Sequence, residues 1–96
     1  MIRHIVFFSA KPGIEAETIR DGLMKLADIP SSSHFEVALN SKVDPWSSEV
    51  DIVVYAEFPD EAALAAFKTH PVYGETTNRV RPMRELRLSA DFTADI

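Results

Sequence analysis

Cysteine is missing from this sequence altogether. Disulfides, zinc–thiolate sites and thiol catalysis are therefore excluded. Basic runs are missing too. The formal net charge is -5, from 15 acidic residues against 10 Lys and Arg, so neither nucleic acid nor an anionic membrane surface is an expected partner. Long apolar runs are also lacking: Ile2 to Phe8 falls far short of the roughly 20 residues that a bilayer span requires. That stretch has neither the basic flank nor the longer apolar core of a signal peptide, which leads to the expectation of a soluble, cytoplasmic protein. There is no internal repeat, no Gly-rich phosphate loop, no nucleotide fingerprint and no supported Ser-His-Asp arrangement. No pair among His4, His34 and His70 has metal-ligand spacing, so no metal and no cofactor is expected.

What remains is ordinary globular composition, 46% hydrophobic and 26% charged over 96 residues. That length predicts one domain over residues 1–96, small enough for oligomerisation to help it bury a core. Ile2 to Ser9 reads as a strand with apolar residues on both faces, as expected of a strand covered on both sides. After the Lys11-Pro12-Gly13 turn, Ile14 to Ala27 reads as a helix with Ile19, Leu23 and Leu26 as its buried stripe. Gly22 within it suggests a close approach to the sheet. Phe35 to Leu39 and Val50 to Phe58 read as an antiparallel hairpin with a long exposed connection. In that connection Trp46 is the one large apolar residue, expected to pack in the loop or at an interface.

Asp60 is the expected N-cap of a second helix running to Thr69, with Leu64 and Phe67 as its stripe. His70 lies three residues after Phe67, so the spacing continues the stripe through it. Pro71 breaks the helix there and suits the first turn of a new helical piece, Val72 to Arg79. Glu85 to Phe92 reads as the last strand, with Leu86, Leu88, Ala90 and Phe92 inward and Glu85, Arg87, Ser89 and Asp91 outward. A loose tail is expected from Thr93. The order β-α-β-β-α-β predicts an α+β, ferredoxin-like fold, an antiparallel sheet with both helices on one face. The other face keeps apolar residues of the first and third strands, and a homodimer packed sheet to sheet would bury it.

Two stretches carry a resemblance. Arg3-His4-Ile5-Val6-Phe7-Phe8 resembles the opening strand of the stress-responsive α/β-barrel (Dabb) domain. Phe58 to Pro71, ending in Thr69-His70-Pro71, resembles its second helix and His-Pro signature. The resemblance implies a dimeric α/β barrel in a functionally mixed family, with stress-induced and antimicrobial plant members. It also implies kinship with a plant branch that cyclises polyketides in a pocket between sheet and helices. In that branch the His of the His-Pro pair is the base, and His70 matches it. A first-strand His lines the pocket, and His4 matches it. The Tyr that accompanies the base is replaced here by Leu64.

The candidate catalytic residues are therefore His70 and His4, since an imidazole can take a proton near neutral pH. Val6, Phe8, Leu23, Phe67 and Tyr73 are the expected lining of a cleft for a small apolar ligand. Each histidine has a structural alternative: His70 as a helix C-cap whose ring donates to a backbone carbonyl, His4 as a buried ring bonded to a neighbour. A non-catalytic stress-associated structural or interaction protein, with a filled interior, is the competing function. Arg79, Arg81, Arg84 and Arg87 read as a solvated face with ion pairs, with Arg79 or Arg81 able to hold an anionic ligand.

Overall fold

The computed structural model describes residues 1–95. In chain order it contains β1 (Ile2–Ala10), α1 (Ala16–Leu23), β2 (His34–Leu39), β3 (Ile52–Phe58), α2 (Glu61–Thr69), α3 (Pro71–Val80) and β4 (Arg84–Thr93). The sheet order is β2-β3-β1-β4 and each neighbouring pair is antiparallel. This is the ferredoxin-like arrangement, with the helices on one face. The first helix is shorter than its periodicity suggests. It tightens at Met24–Asp28 into a 3-10 turn, which keeps Leu26 on the buried side with Ile19 and Leu23. Gly22 faces α3, not the sheet: a Cβ there would lie 3.4 Å from Val80.

Asp60 caps α2 as expected, its carboxylate accepting from the Ala63 amide at 2.8 Å. One hydrophobic core joins the sheet to the helices. Phe67 of α2 is its hub, edge-on to Phe58 at 5.0 Å and to Tyr73 at 5.4 Å between ring centroids. Trp46 does not pack in its loop; it is 93% exposed. The tail is not loose at its start, because the Ala94 amide bonds the Met1 carbonyl at 2.9 Å. The rest of the expected loose tail includes Ile96, which lies outside the described residues.

The last strand is turned over relative to the reading from periodicity. Cross-strand register places Asp91 beside His4, Ser89 beside Val6 and Arg87 beside Phe8, all on the helix-covered face. Leu88, Ala90 and Phe92 lie beside Phe7, Ile5 and Arg3 on the open face. Leu88 and Phe92 are accordingly 58% and 49% exposed. Alternation separates two faces but does not say which one the helices cover.

The β2–β3 connection is pinned at its base. Asp51 accepts from the Ala10 amide at 2.8 Å and from Lys42 Nζ at 2.5 Å. Lys42 has φ 57, a left-handed backbone, and Asn40 Oδ1 accepts from its amide at 3.1 Å. Burial pushes the Asp51 carboxyl up, but the Lys42 hydrogen bond, the Ala10 amide and the Lys42 charge outweigh it. The net result lies below the ordinary carboxylate value. A depressed carboxyl adds stability above its unfolded pKa of ~4 and loses it as pH falls through the folded value. Asp51→Asn should therefore cost about 1 kcal/mol at neutral pH, a drop of roughly 4–8 °C in Tm. Thermal melts of the two proteins should draw together as pH falls below the unfolded carboxyl value of ~4. A gap that stayed constant throughout that fall would show that the charge is not what stabilises the loop.

Candidate functional site

A cavity of about 330 Å³ lies between the sheet and the helices α1 and α3. Its floor is the covered face of the sheet, from His4, Val6 and Phe8 of β1 and Val54 of β3. Leu23, Leu26, Phe67 and Val80 supply apolar walls, and Tyr73 and Thr77 of α3 add two hydroxyls. Six of the seven residues singled out from the sequence are thus brought together: His4, Val6, Phe8, Leu23, Phe67 and Tyr73.

The seventh, His70, is not among the lining residues. Pro71 forces His70 into extended backbone, φ -67 and ψ 141, ending α2. The residue then serves as N-cap of α3, its Nδ1 accepting from the Val72 amide at 3.1 Å. The ring accepts a backbone proton, whereas the structural alternative had it donate to a carbonyl. With Nδ1 occupied as an acceptor, the proton of the neutral ring sits on Nε2. In this state His70 can donate a hydrogen bond but has no free lone pair with which to act as a base.

His4 has the opposite arrangement. It is 2% exposed, with Phe58 and Phe67 edge-on at 6.2 and 6.3 Å. Its Nδ1 is bonded to the Asp91 carboxylate. A carboxylate only accepts, so Nδ1 carries the proton and Nε2 keeps its lone pair. No hydrogen bond to Nε2 is formed among the described residues. The side chain of Asp91 is 36% exposed and also borders an open groove of about 400 Å³ beside Leu64 and Lys68 of α2. The buried imidazole therefore faces the cavity while its carboxylate partner stays in touch with water. Nothing local in the sequence signals this pair, whose members are 87 residues apart.

Three arginines, Arg81, Arg84 and Arg87, complete the lining. Arg84 and Arg87 are three apart on one strand, so regular pleating would place them on opposite faces. A register shift prevents this: Phe8 pairs with Arg87 but Ala10 pairs with Arg84, so β4 carries one extra residue. The bulge turns both side chains to the covered face, and the Leu86 amide within it bonds Ser9 Oγ at 3.0 Å. Arg79, the other arginine expected to reach a ligand, does not line the cavity. The solvated face of ion pairs is not formed either: among the described residues none of these arginines has a carboxylate partner. The histidines do not converge. His34 lies on the open face, 6.0 Å from the Tyr55 ring, and among the described residues no cluster could hold a metal ion. No helix among them is long and apolar enough to cross a membrane.

Comparison with known proteins gives a consistent picture. No curated protein matches the chain. Among solved structures, a Dabb family protein with a ferredoxin-like fold from Mesorhizobium loti MAFF303099 is 27% identical, with TM-score 0.75, covering 97% of this chain and 95% of its own. A dimeric ferredoxin-like protein of unknown function from Thermobifida fusca YX is 24% identical, with TM-score 0.82, covering 97% and 90%. An antibiotic biosynthesis monooxygenase shares the fold at 17% identity and TM-score 0.77, covering 98% of each chain. The family model for the stress responsive A/B barrel domain, Dabb, matches residues 2–94. The chain belongs to the Dabb family.

Proposed function

We propose that this Dabb protein is a homodimer whose sheet–helix cavity binds a small, mostly apolar molecule, and that His4 acts there as a general base on an activated C–H bond. The observation that carries the reading is His4 itself: a buried imidazole lining the cavity, with Nδ1–H committed to Asp91 and Nε2 left as an acceptor. An aspartate that fixes the tautomer and stabilises the imidazolium formed on proton uptake is the arrangement general-base chemistry needs. Proton abstraction from a carbon acid is also the step attributed to the polyketide-cyclising branch that the sequence resembles. His70 supports the site indirectly, by capping α3, which carries Tyr73 and Thr77. A volume of this size suits a small ligand and weighs against a filled, purely structural interior.

Binding is tested with N-phenyl-naphthylamine, a neutral dye that brightens in apolar surroundings. The protein should enhance its emission, and Thr77→Trp should weaken binding about tenfold or more by filling the cavity. The Thr77 hydroxyl bonds only within its own helix, to the Gly74 carbonyl at 3.1 Å, so the fold should tolerate the change. No enhancement, or enhancement that Thr77→Trp leaves intact, would remove the cavity from the proposal.

A further inference from the structure

The cavity is apolar at the His4 end and cationic at the other. Arg87 and Arg84 enter from β4 and Arg81 from the C-terminus of α3. Arg81 Nη1 is oriented by Asn78 Oδ1 at 3.3 Å. The clustering runs against the composition. The chain has 15 acidic residues against 10 Lys and Arg, yet three of the arginines meet at one cavity with no carboxylate partner among the described residues. Like charges held together on one wall repel, and a guanidinium fork matches a carboxylate in two parallel hydrogen bonds. Bringing two of them to one face also required the β4 bulge, a departure from regular pairing.

We infer that the ligand is an amphipathic organic anion: a carboxylate held by Arg81, Arg84 and Arg87, joined to an apolar body that extends toward His4. The inference rests on the proposed binding role of the cavity and names the class of molecule it takes. His4 and Phe8, the β1 partner of Arg87, are four residues apart, so the two ends are separated by about 13 Å at the usual strand rise. The carboxylate is therefore an anchor. The carbon presented to His4 is remote from it, and the headgroup takes no part in proton transfer.

Octanoate and octanol separate the charge from the chain, each read by displacement of N-phenyl-naphthylamine. A purely apolar cavity prefers the alcohol, because a carboxylate is costly to desolvate. The arginines should reverse that order, with octanoate displacing the dye at about tenfold lower concentration or less. Replacing all three arginines by Gln (R81Q, R84Q and R87Q together) should restore the preference for octanol and leave octanol binding within about twofold. The matching triple Lys variant, which keeps the charge, should retain most of the reversal and guards against a loss of fold. Octanol binding as well as octanoate to the unaltered protein, or octanoate binding indifferent to the Gln changes, would overturn the inference while leaving the cavity reading intact. If neither molecule displaced the dye, or the dye itself did not bind, the cavity reading would fall, and the inference with it.

Discussion

His4→Gln should abolish most of the protein's ability to deprotonate nitrobenzisoxazole, a neutral aromatic carbon acid whose ring opening is followed by colour. A positioned general base is worth roughly 10²–10⁴ in rate, so the expected loss is on the order of 100-fold. Gln keeps much of the volume of the ring and can still donate to Asp91, but it has no basic nitrogen. Asp91→Asn tests the partner. An amide can present either a donor or an acceptor to Nδ1, so the tautomer with Nε2 free is no longer enforced. The expected result is a lower kcat, by about tenfold or more, with KM and dye binding nearly unchanged. A merely structural carboxylate would instead alter stability or binding. His70→Gln is the counterpart: its ring caps α3 and does not line the cavity, so turnover should stay within about twofold once folding is intact. The base assignment fails if the unaltered protein is no faster than free imidazole at equal concentration, or if His4→Gln keeps full activity.

The contrast between the two histidines shows what could be read from residues alone. The order of strands and helices, the Asp60 cap and the break at Pro71 follow from local chemistry, although the first helix and the third strand are shorter than periodicity suggests. The roles of the imidazoles depend on which nitrogen is occupied, and that follows from local backbone geometry in one case and from strand register in the other. For His70 the occupant is two residues away, the Val72 amide, made available because Pro71 forces the chain out of helical geometry. For His4 it is Asp91 on the neighbouring edge strand, and only the β1–β4 register brings the two together. Reading the last strand with its apolar residues toward the helices placed Asp91 outside. The same inversion hid the arginines, because the face of Arg87 was misassigned and the bulge that adds Arg84 to it leaves no trace in periodicity.

That inversion has an energetic consequence, since the apolar side of β4 faces away from the helices and must be covered some other way. Leu88 and Phe92 of β4, with Phe7 of β1 at 38% exposure, give the open face an apolar strip. Ile5, Val53 and Ala90 lie on the same face. Arg3 sits there too, its guanidinium 5.9 Å from the Phe92 ring centroid. Its Nε is covered by the chain's own atoms and has no partner among the described residues. The proposed homodimer packs two such faces about a two-fold axis, so any substitution enters the interface twice. Leu88→Asp should then be severe. Burying an unpaired carboxylate costs several kcal/mol, enough to weaken association on the order of 1000-fold or more. Sedimentation at ~10 micromolar, a concentration at which a standard-size interface is expected to hold, should show a dimer for the unaltered protein and a monomer for Leu88→Asp. Circular dichroism should be unchanged, because Leu88 is already 58% exposed within one chain. Leu39→Asp provides the control: Leu39 is 38% exposed but lies on the helix-covered side, beside Ile52, and should leave the dimer intact. A monomeric mass for the unaltered protein, or a Leu88→Asp variant that remains dimeric, would show that the strip is covered by something other than a second copy.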